Sequence, residues 1–172
     1  MNHDRYSDNY IRSILLGHKT FAMVGASPNK IRPSYFAMRY LMQKGFRVIP
    51  VNPGHAGKDF FGETVYGALK DIPDPVDVVD VFRNAEAAMQ ITKDAIEIGA
   101  KVVWMQLGVR NDEAAQLAED AGLKVVMNRC PKIEYGRLSG EISWAGVNTR
   151  TLSNKRPRLA RHGIQHWLIR EN

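Results

Sequence analysis

Cysteine is almost missing from this chain: Cys130 is the only one in 172 residues. An internal disulfide is therefore impossible, and a zinc site built from clustered cysteines is excluded. A reducing, cytoplasmic setting is the expectation that follows. Long apolar runs are missing too. The N-terminal segment reaches only Ile14-Leu15-Leu16, too short for the core of a secretory signal. Nowhere does the sequence approach the roughly 20 apolar residues that cross a bilayer, so no membrane partner is expected. Walker A is absent, since no G-x-x-x-x-G-K-S/T occurs. The dinucleotide fingerprint G-x-G-x-x-G is absent as well, a gap taken up again below.

Negative charge is sparse at one end only. The formal net charge is +6. Residues 140–172 hold Arg150, Lys155, Arg156, Arg158, Arg161 and Arg170 against Glu141 and Glu171, leaving +4 there and +2 on the rest. Basicity is thus mostly a property of the tail, and the pI says little about the whole protein. The cations between Arg150 and Arg161 are not interleaved with aromatic side chains, and no nucleic-acid motif is present, which argues against nucleic acid as a partner. His162 and His166 stand four apart, but no carboxylate pattern joins them, so no metal is expected.

What is present is an alternation of strands and helices. With 44% hydrophobic residues, the length suits one domain over 20–139, preceded by a helical extension over 1–19 and followed by the basic extension over 140–172. Ser7 caps a first helix that Gly17 ends. Thr20-Phe-Ala-Met-Val is a continuous apolar run stopped by Gly25, as strands buried on both faces read. Pro33 opens a helix that Gly45 closes. Strands follow at 47–51, 64–66, 76–82, 100–107 and 124–127, with helices capped by Asn84 and Asn111 between the last three. The expected fold is Rossmann-like α/β, a doubly wound, mostly parallel sheet with helices on both faces and strand order 3-2-1-4-5-6.

Such a sheet binds ligand beyond the carboxyl ends of its strands, where the winding reverses. Here that point lies between the loop after the first strand, Gly25-Ala26-Ser27-Pro28-Asn29-Lys30-Ile31-Arg32-Pro33-Ser34, and the end of the fourth, Val81-Phe82-Arg83. Gly25 permits a sharp turn. Ser27, Lys30, Arg32 and Ser34 add donors and charge ahead of a helix N-terminus, which suits a phosphate. Counting the dinucleotide pattern from Gly25 puts Ser27 and Lys30 where glycines belong. The second strand ends Val51-Asn52-Pro53, without the acid that holds the ribose of NAD. NAD is therefore disfavoured, while coenzyme A and NADP both remain open on the loop chemistry.

The run AMVGASPNKIRPSYFAMRYLMQKGFRVIPVNPG resembles the small, stand-alone CoA-binding proteins. So, in order, do residues 65–73 (VYGALKDIP), 78–83 (VVDVFR), 104–108 (WMQLG) and 128–134 (NRCPKIE). The resemblance covers roughly residues 5–150, and the family is similar in turn to the nucleotide-binding first domain of the succinyl-CoA synthetase α subunit. It implies coenzyme A, free or acylated, as ligand. It implies a phosphate turn at Gly25, Ala26, Ser27, Asn29 and Lys30, with Arg32, Pro33 and Ser34 at the helix start. A second turn is implied at Asn52 and Pro53; the synthetase has a lysine nearby, where this chain has His55 and, later, Lys58. Val81, Phe82 and Arg83 would face the ligand, as would Met105, Gln106 and Leu107 at the end of the fifth strand. Cys130 would lie close by.

No second domain with the synthetase's phosphorylated histidine is visible after residue 140, so ligase activity is not implied and a binding role without catalysis is the leading expectation. An NADP- or acyl-CoA-using enzyme is the alternative. It would draw on Cys130, whose pKa Arg129 and Lys132 would lower where they face it. An interaction protein acting through the basic tail is a third reading. Asp77 and Asp80, three apart on a strand, point to opposite faces and read as packing or capping residues rather than an acid–base pair. Glu134 could order its neighbours or meet the ligand. A homo-oligomer is compatible with all three readings.

Overall fold

The computed structural model describes residues 1–139. The basic extension over 140–172, with His162 and His166, lies outside the described residues. Helix α1 (Asp8–Gly17) starts at Ser7, whose hydroxyl accepts from the N–H of Tyr10, and buries Ile11, Ile14 and Leu15. Strand β1 (Thr20–Val24) follows, then α2 (Pro33–Gln43) and β2 (Arg47–Val51). A small antiparallel pair, β3 (Asp59–Phe60) with β4 (Glu63–Thr64), precedes β5 (Val78–Val81). Then come α3 (Ala85–Glu97), β6 (Val102–Met105), α4 (Asp112–Asp120), β7 (Lys124–Val126) and α5 (Pro131–Leu138). Asn84 and Asn111 cap α3 and α4, accepting from the N–H groups of Ala87 and Ala114.

The main sheet has the order β2-β1-β5-β6-β7, and every pairing in it is parallel. Its strands are almost wholly buried, as expected where helices cover both faces. Met1–Glu134 form one compact unit, and a second unit begins at Tyr135. No helix among the described residues is long and apolar enough to cross a membrane.

One expected strand is corrected. Residues 64–66 do not form a third strand of the sheet: Thr64 belongs to the small hairpin, and Tyr66 makes a single parallel bridge beside Val51. The Tyr66 N–H donates to Pro50 O and the Asn52 N–H to Tyr66 O. The next rung would need an N–H at position 50, which proline lacks. The order therefore keeps the expected sequence with its third member reduced to one residue. Helix α5, absent from the sequence reading, begins at Pro131, a residue suited to a first helical turn.

At the far side of the sheet, alternate backbone groups of β7 point away from β6. Two tyrosines satisfy them. The Tyr10 hydroxyl donates to Val125 O and accepts from Val125 N–H, both at 3.1 Å, and the Tyr6 hydroxyl accepts from Met127 N–H at 2.7 Å. Burial pushes the Tyr6 phenol up to about 12. Tyr10→Phe should lower stability by about 1–2 kcal/mol, because it leaves two backbone groups without their partner. Urea unfolding read beside faster amide exchange at Val125 checks this; a wild-type exchange rate there would contradict it.

Candidate functional site

The chain leaves β1 through Gly25, which has φ +93°. Its N–H donates to Val51 O at 2.9 Å, so the turn is pinned to the end of β2. A Cβ at this position would stand 2.5 Å from the carbonyl oxygen of Phe82. The loop after β1 therefore lies hard against the chain leaving β5, and only glycine allows that approach. This is where the winding reverses, between β1 and β5.

Beyond Gly25 the loop is shaped by its own polar side chains. Ser27 Oγ accepts from the Asn29 N–H and Asn29 Oδ1 from the Ile31 N–H. Asn52 ties in the neighbouring loop: its Nδ2 donates to Ala26 O at 2.7 Å, and its Oδ1 accepts from Gly54 N–H in the turn opened by Pro53. Helix α2 then begins with Arg32 at its cap, whose side chain makes no capping hydrogen bond, and with Pro33 in its first turn. Lys30, Arg32 and Arg83 are exposed around this end, and Ser34 is buried.

A cleft of about 530 Å³ opens beside that loop. The loop and α2 contribute Ile31, Pro33, Phe36 and Ala37; the strand ends contribute Phe82, Gln106, Leu107 and Val109; the start of α5 contributes Cys130, Lys132 and Ile133. Ile31, Phe36 and Leu107 are unusually exposed for their size, at 80%, 50% and 50%. Three large apolar side chains left in water around one cleft are a feature that ligand binding explains.

Of the residues expected at the site, Pro33, Phe82, Gln106, Leu107 and Cys130 line this cleft. Gly25, Ala26, Ser27, Asn29, Lys30, Arg32, Asn52, Pro53 and Arg83 lie in the turns at the same ends of the strands, and Ser34 in the first turn of α2. Val81 and Met105 have no exposed surface and pack into the core with residues of α3 and α4. The Cys130 thiol pKa is raised, not lowered by its basic neighbours. Burial pushes its thiol up, outweighing the Ile133 and Lys132 N–H groups and the Lys132 charge that pull it down. Arg129 does not offset this: it packs over the ring of Tyr6, bonds Asn128 O and stands 3.9 Å from buried Glu134.

Asp77 proves to be a capping residue, its Oδ2 accepting from the N–H groups of Lys19 and Thr20. Asp80 is different and was missed. It is fully buried, and Gln106 Nε2 meets its Oδ1 at 2.7 Å. Its Oδ2 is buried with no hydrogen-bond partner among the described residues. Burial pushes the carboxyl up to about 8, against the smaller downward pull of the Gln106 hydrogen bond. Strand alternation carried the signal, since Asp80 shares a face with Phe82 and pairs in register with Trp104, two residues before Gln106. No group of three or more His, Cys, Asp or Glu that could hold a metal occurs among the described residues.

Residues 19–136 match the CoA binding domain family. An uncharacterised protein of Bacillus subtilis, YneT, is 34% identical over 125 residues, which are 73% of this chain and 91% of that one. A solved structure of a hypothetical protein from Pyrococcus horikoshii is 42% identical with a TM-score of 0.76, covering 80% of this chain and 95% of that one. A dinucleotide-forming acetyl-coenzyme A synthetase of Ca. Korarchaeum cryptofilum is 23% identical with a TM-score of 0.57, covering 64% of this chain and 26% of that one; this likeness is one of fold.

Proposed function

We propose, from the premise that the chain belongs to the CoA binding domain family, that coenzyme A or an acyl-CoA is held in the cleft between the loop after β1 and the start of α5. The observation that carries this reading is the pairing of an apolar cleft, rimmed by exposed Ile31, Phe36 and Leu107, with an uncapped helix N-terminus beside it. Coenzyme A has the matching halves: a highly charged nucleotide and a long, weakly polar arm. Lys30, Arg32 and the first turn of α2 would take phosphate, through charge and the positive end of the helix. Arg83 or Arg32 would meet the 3′-phosphate. Phe82 and Leu107 would pack against the adenine or the arm. Gly25, Ala26, Ser27, Asn29, Asn52 and Pro53 would set the shape of the turn rather than supply most of the affinity.

The role proposed is binding, without catalysis by this chain. Cys130 gives little support to an enzyme reading, since burial keeps its thiol protonated and so weakly nucleophilic. Calorimetry with coenzyme A, NAD and NADP tests the proposal. Coenzyme A should bind and NAD should not. The double variant Lys30→Ala/Arg32→Ala should weaken coenzyme A by about tenfold, with a shallower dependence on salt. Binding of NADP with none of coenzyme A at millimolar concentration would overturn it.

A further inference from the structure

Among the described residues Gln106 is the single amide on a cleft wall otherwise made mainly of apolar side chains, and Asp80 behind it is a fully buried acid. We propose that the two form a carbonyl-reading pair, in which Asp80 holds the Gln106 amide so that its N–H group meets one carbonyl of the pantetheine arm or of the thioester attached to it. This rests on the reading of the cleft as a coenzyme A site.

The argument begins with what surrounds Asp80. Its register neighbours are Met23 on β1 and Trp104 on β6, neither of which titrates at neutral pH. The buried residues of α2 are Ser34, Ala37, Met38 and Leu41, none charged, and those of α1 are Ile11, Ile14 and Leu15. From the turn before α5, Cys130 is the titratable group close enough to interact with it, and that thiol is itself pushed up. Among these, nothing offers a positive charge to hold a carboxylate. The carboxyl therefore keeps its proton at neutral pH, in line with its shift to about 8.

A protonated carboxyl has an O–H to place. If Gln106 turned its N–H toward Asp80, that O–H would be left in the interior without an acceptor, at a cost of about 1–3 kcal/mol. Turning the amide oxygen toward Asp80 gives the O–H its acceptor, and leaves bare only a carbonyl oxygen, the less costly orphan. The structure records Gln106 Nε2 donating to Asp80 Oδ1 at 2.7 Å; turning the amide over exchanges a nitrogen for an oxygen of nearly the same size and keeps that distance. The turned arrangement presents the amide N–H to the cleft. A donor among apolar side chains suits a carbonyl on an apolar arm, which is the chemistry of pantetheine amides and of thioesters. Ionising Asp80 reverses the amide and presents an acceptor, which repels the same carbonyl.

The test is calorimetry with three probes: adenosine 3′,5′-bisphosphate, which lacks the arm, coenzyme A and acetyl-CoA. Gln106→Leu should leave the bisphosphate unchanged and weaken ligands carrying the read carbonyl by about tenfold. A loss shared by coenzyme A and acetyl-CoA places that carbonyl in the arm; a loss confined to acetyl-CoA places it in the thioester. Unchanged affinity for both, or an equal loss for the bisphosphate, overturns the proposal. Asp80→Asn, whose amide N–H can donate permanently to the Gln106 oxygen, should keep wild-type affinity at pH 6 and remove the decline that the wild type shows toward pH 9. An Asn variant with the wild-type pH slope overturns the part given to Asp80. Should the wild type bind no coenzyme A at all, the cleft reading itself fails, which is a separate result from binding that ignores Gln106.

Discussion

Replacing Gly25 with alanine is expected to lower stability by about 3 kcal/mol and to abolish binding in the cleft. Two effects add. The residue sits at φ +93°, where an L side chain costs roughly 1–2 kcal/mol. The added methyl would also stand 2.5 Å from Phe82 O and 3.0 Å from its carbonyl carbon. These atoms belong to backbone, not to a side chain that can swing away, so the loop after β1 or the exit from β5 must move. Overpacking of this kind costs about 1–3 kcal/mol. Both segments carry the proposed site, so a shift of either separates the helix N-terminus from the cleft. Urea unfolding and coenzyme A titration measure the two consequences. An alanine variant of wild-type stability would show that the two segments do not touch as described.

Asp80→Asn should do the opposite and stabilise the protein, by an amount that grows with pH. An aspartate free in the unfolded chain titrates near 3.8, whereas in the folded state it holds its proton to about 8. Between those values the folded state binds the extra proton, so stability falls as pH rises. The loss begins near pH 4 and is complete above pH 8. At pH 7 it is on the order of 4 kcal/mol, from about three pH units at 1.36 kcal/mol each. Asparagine fills the same space with no charge to bury and escapes the penalty. Unfolding free energies of the two proteins should be close at pH 4 and diverge steadily to pH 8. A gap that does not change with pH, or a wild type more stable at pH 7, would refute the account. A buried acid that weakens the fold is the kind of feature a site retains for its use, which agrees with the part proposed for the Asp80–Gln106 pair.

The α/β architecture was legible because each parallel strand is buried on both faces and so reads as an apolar run. Phe21–Val24 and Val102–Met105 show this, while Val78–Val81 is interrupted by Asp80. Helix starts at Ser7, Asn84 and Asn111 were legible because each uses a side-chain oxygen that local sequence announces. The edge strand at 64–66 was not, since its loss depends on Pro50, a residue on a different strand. Helix α5 was hidden because Cys130 precedes it, and cysteine is not among the usual capping residues. At the site, polar and glycine-containing loops were readable by residue type. Ile31 and Phe36 were not, because an apolar residue in a loop or on a helix does not say whether it faces a core or an open cleft. Asp80 was set aside for a similar reason: the spacing to Asp77 showed that the two could not work together, but gave no weight to Gln106, 26 residues later.

The two tyrosine hydroxyls over β7 carry a further consequence. The backbone groups they occupy on Val125 and Met127 are those with which an unguarded outer strand recruits a strand from another molecule. The segment before β1 thus acts as a cover for the sheet, and its aromatic side chains replace the missing neighbour without offering a new edge of their own. Loss of those first residues would uncover these backbone groups and leave the kind of edge along which a sheet can be extended.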